Sequence, residues 1–258
     1  MCARSLETEL AHYLALGDSV SLDLYPALDA GETDVAVALE RVPTAGRVAP
    51  LGAASLLYRN DEERWPEFAG RDLVTIHPGI RHTNLARDGA TIGDVFGEQL
   101  PELEPSEEPT LVSLTIGAND LLSAYASRPG GKTFARIVAG IADAYDLLVD
   151  RIREAFPSLV LLLGTLYDPS DRTGRLPGVF DIPGPMPLKH LDALNAHIRE
   201  TAAGLSDARL ADVYGHFLGH GVTAPEEDRW YWRRSIVEPS AMGASEIRRV
   251  WWEALGEE

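Results

Sequence analysis

The chain has 258 residues, 45% of them apolar, and 40 acidic against 23 basic side chains give a formal net charge of −17. That length supports one good-sized α/β core, and the apolar share excludes a disordered chain. The acidic balance disfavours phosphate backbones and anionic lipid heads, so the expected partner is a small molecule and not nucleic acid. Cys2 is the only cysteine, which excludes an internal disulfide and a cysteine-based zinc cluster. The first residues show no basic start followed by an apolar core, so the reading is a cytoplasmic protein without a signal peptide. The longest apolar run, residues 159–163, is far too short to span a bilayer.

Strand candidates in chain order are residues 13–16, 73–76, 111–116, 159–163 and 209–213. They are continuous apolar runs without alternation, as in a parallel sheet covered on both faces. Between them lie helical patterns. Ile137, Ile141, Tyr145, Leu148 and Ile152 recur every three or four positions, predicting a helix over about 134–156 that Pro157 ends. A second helix is expected over 188–205. A last one begins near Pro239-Ser240, with Trp251 expected in the core and Trp252 at the surface. Alternating strand and helix predicts an α/β fold in a single domain spanning 1–258. Residues 30–68 and 168–187 read as loop insertions, the first with a short helix at 52–58.

The first place that could carry chemistry is Gly17-Asp18-Ser19, where an apolar run ends abruptly and delivers a hydroxyl to the sheet rim. Ligands of open α/β sheets bind beyond the carboxyl ends of the strands. The second is the stretch from Asn84 to Thr91, containing Gly89. The third is Gly117-Ala118-Asn119-Asp120. Acyl transfer from a serine needs a base for its proton and donors for the oxygen that becomes negative. Gly89 can bring a backbone N–H close to a substrate, and Asn119 offers a side-chain NH₂.

With these three blocks in this order, the chain resembles the SGNH hydrolases, also called the GDSL esterase/lipase family, over roughly residues 10–255. The resemblance implies a three-layer α/β/α sandwich with a flavodoxin-like parallel sheet of about five strands. It also implies ester hydrolysis at Ser19 through an acyl-enzyme, with the oxyanion held by Ser19, Gly89 and Asn119. No metal or organic cofactor is implied. The family's last block, Asp-x-x-His-Pro, matches Ser235-Ile236-Val237-Glu238-Pro239 here. Glu238 thus stands where the histidine is expected, and Ser235 where the aspartate is.

A base must then come from elsewhere. His220, flanked by glycines in the loop after the last expected strand, is favoured, with Glu238 orienting it. His216 is the alternative. Glu238 acting alone is a third option, which requires burial to raise its pKa. Glu238 would also suit the start of the last helix, where negative charge is favourable. Trp230, Tyr231 and Trp232 are expected to pack the last helix and partly line the cleft. Asp168 and Asp171 read as turn caps, and His77, His82 and Asp88 lack a metal-ligand spacing. The substituted histidine position keeps an alternative open. The domain could be repurposed to bind an acyl-sugar or lipid, or it could transfer the acyl group to an alcohol.

Overall fold

The computed structural model describes residues 9–33, 48–127, 130–176 and 185–256. Five strands make one parallel sheet: β1 (His12–Gly17), β2 (Arg81–Asn84), β3 (Thr110–Thr115), β4 (Leu159–Gly164) and β5 (Ala208–Ala211). Their order is β2-β1-β3-β4-β5. The chain therefore leaves β1 toward one neighbour and returns on its other side, which makes the carboxyl end of β1 a topological switch point. Gly17 pairs with Thr115, and Leu114 with Leu163, so the strands end nearly level there.

Side chains alternate across the central strands, because successive Cβ atoms of a strand point to opposite faces. Leu14, Leu16, Val112, Leu114, Leu161 and Leu163 join one core. Tyr13, Ala15, Leu111 and Leu162 join another on the opposite face. Three helices cover the first face: α3 (Ala118–Ala126), α4 (Gly131–Ala155) and α5 (Lys189–Gly204). On the second lie α2 (Ala53–Tyr58) and α6 (Ala241–Leu255); α1 (Leu24–Asp29) precedes them in the chain and packs beside α6. The period seen in the sequence is the buried stripe of α4, where Ile141, Tyr145, Leu148 and Ile152 face the sheet. Each such side chain contributes about 1.5–3 kcal/mol by leaving water. No described helix is long and apolar enough to cross a membrane.

Residues 73–76, expected as a strand, form a helical turn instead. Asp72 accepts the Thr75 N–H at 2.8 Å and caps it. The sheet edge is β2, whose Arg-His-Thr-Asn sequence is half exposed and carries no apolar run. Val213 likewise leaves β5 and starts a short helix capped by Asp212. Trp252 is buried alongside Trp251, not at the surface. The short helix expected at 52–58 is α2. Parts of both loop insertions, residues 34–47 and 177–184, lie outside the described residues, as does Cys2. A two-stranded antiparallel hairpin, β6 (Tyr231–Trp232) and β7 (Ser235–Pro239), precedes α6. Ser240 caps α6 by accepting the Gly243 N–H at 3.0 Å.

Candidate active site

Gly17 ends β1 with φ +127°, and a Cβ there would stand 2.0 Å from the Thr115 carbonyl oxygen, so no other residue fits. Gln99 clamps this position. The Gly17 N–H donates to Gln99 Oε1 at 2.9 Å, and Gln99 Nε2 donates to the Gly17 carbonyl at 2.7 Å. The chain then turns sharply through Ser19–Ser21. Asp18 caps that turn by accepting the Val20 N–H at 3.1 Å. Ser21 is tied to Thr115 at 2.9 Å between hydroxyls, and Asn84 Nδ2 donates to the Ser21 carbonyl at 2.8 Å. Strands on both sides of β1 therefore hold the turn that presents Ser19.

Ser19 opens into a cleft that is also lined by Asp18, Asn119, Asp168 and Glu238. The Ser19 side chain lies beside the Glu238 carboxyl in this cleft and favours its ionised form. Burial raises the pKa of Glu238 to about 7, the Asp88 charge adds to the rise, and the Ser19 contact opposes it. Its Oε2 is buried and meets no hydrogen-bond partner among the described residues. Asp18 is pushed up to about 8, mainly by burial, with Glu238, Asp120 and Asp88 adding repulsion.

Gly89 has φ +71° in an exposed loop, and its Cα faces open space. The loop is well anchored. Arg87 N–H donates to the Gly17 carbonyl at 3.0 Å, and Tyr25 OH donates to Asp88 at 3.0 Å. Asn119 Nδ2 donates to the Ala90 carbonyl at 2.9 Å. An amide NH₂ has two donors, so one remains for the cleft that Asn119 lines. Asp120 accepts the Ile92 N–H at 3.1 Å and joins α3 to the same loop.

The structure thus brings Ser19, Asn119 and Glu238 together and ties the Gly89 loop to them. It does not bring the expected imidazoles. His220 stacks on Trp230 with centroids 3.5 Å apart, and its Nδ1 meets the Asp228 carbonyl at 2.9 Å. His216 Nε2 pairs with Glu246 at 2.8 Å. Neither lines the cleft. Glu238 is the group beside Ser19, so it does not serve to orient His220. It precedes α6 on β7 and is not the helix cap, which is Ser240.

The aromatic run is packing and not cleft wall. Trp230 lies against His216 and Phe217, Tyr231 against Tyr167 and Phe217, and Trp232 against Tyr25. Asp168 caps its own turn through the N–H groups of Ser170 and Arg172, each at 2.9 Å. Asp171 accepts from Gly219, Gly221 and Thr223 and so fastens the 219–223 loop. His82 is stacked between Tyr13 and Tyr58, and His77 Nδ1 accepts the Leu10 N–H. Among the described residues no cluster of three His, Cys, Asp or Glu side chains is arranged for a metal.

Two supporting residues escape sequence reasoning. One is Gln99. The other is Tyr167, which lines the cleft and donates to the Val237 carbonyl. Its position just after β4, at the same sheet edge as Ser19, is the one available signal.

With this fold and this arrangement at the end of β1, the chain belongs to the GDSL-like lipase/acylhydrolase family, whose model matches residues 44–243. The match takes in the Gly89 and Asn119 blocks and Glu238, and begins after Ser19. No curated protein matches the chain in sequence. Solved structures share the fold over nearly its whole length. An acetylxylan esterase from Geobacillus stearothermophilus is 17% identical with a TM-score of 0.62, covering 100% of this chain and 98% of that one. A candidate GDSL-like lipase from Parabacteroides merdae is 14% identical with a TM-score of 0.64, covering 98% and 99%. An extracellular lipase from Streptomyces rimosus is 22% identical with a TM-score of 0.54, covering 95% and 99%.

Proposed function

We propose that the protein is a serine-dependent carboxylic ester hydrolase in which Glu238, and not a histidine, is the base. The contact between the Ser19 side chain and the Glu238 carboxyl carries this reading. A carboxylate at its ordinary pKa is a weak base near neutrality. Burial that raises it to about 7 matches it to that task.

As Ser19 Oγ attacks the ester carbonyl, its proton passes to Glu238. The N–H groups of Ser19 and Gly89, which meet no acceptor among the described residues, and the Asn119 amide receive the developing oxyanion. Each such donor is worth about 3 kcal/mol. The tetrahedral intermediate collapses, the ester C–O bond breaks, and Glu238 returns the proton to the departing alcohol. Water, deprotonated in turn by Glu238, attacks the acyl carbonyl; the bond to Ser19 Oγ breaks, and Glu238 returns the proton to Oγ as the acid leaves.

The test is hydrolysis of a nitrophenyl ester together with labelling by a fluorophosphonate. Ser19→Ala abolishes both, Glu238→Gln lowers kcat by about 10²–10⁴, and His220→Ala retains activity. Loss of activity in His220→Ala with retention in Glu238→Gln overturns the assignment of the base. The missing imidazole supports one second reading, a domain that binds acylated sugars or lipids without cleaving them. Wild-type protein inert to both reagents but stabilised by such ligands would establish it.

A further inference from the structure

Resting on the hydrolase reading, we propose that the cleft selects esters of unbranched apolar acids of about six to eight carbons over acetyl esters. The direction of the acyl group follows from the placement of Glu238. Its proton goes to the leaving alcohol, so the alcohol lies on its side of the cleft. That side belongs to the β6–β7 hairpin and α6, which pack with one sheet face. The acyl group points the other way, toward α3 on the opposite face.

There Asn119 and the wall of the cleft belong to the same helix. Asn119 is the second residue of α3, and Leu121, Leu122 and Tyr125 of that helix line the cleft beyond it. A helix rises 1.5 Å per residue, so Tyr125 stands about 9 Å along the axis from Asn119, the length of an extended chain of about six to eight carbons. The facing wall is Leu188 and Leu191 from the start of α5. Asn195 fixes the neighbouring Leu166 by accepting its N–H at 2.7 Å and donating to its carbonyl at 2.8 Å. The wall is therefore set before substrate arrives.

No Lys, Arg or His is among the described residues lining the cleft, while Asp18, Asp168 and Glu238 are. An acyl chain bearing a carboxylate or phosphate finds no partner there. A methylene moved from water to such a wall is worth roughly fourfold in kcat/KM.

The experiment is a series of nitrophenyl acetate, butyrate, octanoate and laurate with wild type, Ser19→Ala, Leu122→Trp and Leu188→Trp. Wild type turns over octanoate with kcat/KM at least tenfold above acetate and gains nothing further at laurate. Either tryptophan, placed on separate helices so that one folded variant suffices, cuts the octanoate-to-acetate ratio at least fivefold. Equal kcat/KM for acetate and octanoate, with Ser19→Ala inactive, overturns the acyl assignment and leaves the hydrolase reading standing. A ratio untouched by folded tryptophan variants does the same. Wild type inactive on the whole series overturns both.

Discussion

The phenolic hydroxyl of Tyr167 donates to the Val237 carbonyl at 2.7 Å, one residue before the carboxyl that meets Ser19. Tyr167 emerges from the end of β4, and its ring stacks on Phe217 with centroids 5.4 Å apart and edge-on to Tyr231. The rigid sheet thus holds the strand that bears Glu238. Tyr167→Phe keeps the ring and removes the tether. Loss of a buried hydrogen bond of this kind destabilises by about 1 kcal/mol, and the unpaired carbonyl adds to it. We expect a melting temperature a few degrees lower and kcat about tenfold lower with KM little changed. Steady-state kinetics on one ester check this, and a change confined to KM would assign Tyr167 to substrate binding instead.

On the proposed mechanism we expect activity to rise with pH. Glu238 must be ionised to accept the serine proton, and its pKa stands near 7, so kcat/KM climbs through that region and levels above it. Below pH 6 we expect the enzyme to be largely off. His220→Ala leaves the limb where it is, and Asp88→Asn moves it to lower pH, because removing a nearby negative charge favours the ionised carboxyl. A pH–rate profile of the three proteins decides it.

Stability runs the opposite way. Asp18 and Glu238 have pKa values raised to about 8 and about 7 in the folded protein, so between about pH 4 and 8 the folded state holds more protons than the unfolded one. Their contribution is fully present below their unfolded values and is lost as pH rises through the folded ones. The melting temperature should be higher at pH 5 than at pH 9. Self-repulsion of a chain with net charge −17 acts in the same direction. Asp18→Asn removes one of the two buried titrations and flattens the profile. Thermal melts across this range, with an unchanged slope in Asp18→Asn as the contrary result, test it.

Gln99→Met tests the clamp on Gly17. The buried Gly17 N–H loses its partner, at about 1–3 kcal/mol, while the Gly17 carbonyl keeps the Arg87 N–H. The expected result is a folded but less stable protein, with activity lost more steeply than stability. Gly17→Ala is harsher, since its methyl would collide with the Thr115 carbonyl. That variant should not accumulate as soluble protein.

Much of this architecture is legible before any coordinates. β4 is buried on both faces and is an unbroken apolar run, and β3 is buried throughout with only small hydroxyl residues among its Leu and Val, which is the pattern a sequence shows best. The edge strand β2 is not legible, because a half-exposed strand of Arg81, His82, Thr83 and Asn84 carries no hydrophobic signature. The apolar Leu73–Ile76 misleads because one capping carboxylate, Asp72, decides its conformation. At the site, the Gly17–Ser19 and Asn119 blocks are readable since each follows an apolar strand, β1 and β3, whereas the Gly89 block follows the unmarked β2 and is carried by its residue pattern alone. The partner of Ser19 is not readable. An imidazole is suited to proton transfer by its intrinsic pKa wherever it lies. A glutamate becomes suited only through burial, and burial is created by elements far apart in the chain, here β1, β4 and β7.

On the proposed mechanism the carboxyl beside Ser19 has a further consequence for the surroundings in which the protein works. Ester cleavage liberates an acid, and in weakly buffered surroundings its accumulation acidifies the medium. Protons then return to Glu238, whose affinity for them is centred near neutrality, and turnover slows as product builds up. Such a catalyst throttles itself by what it makes, with no second ligand and no moving part.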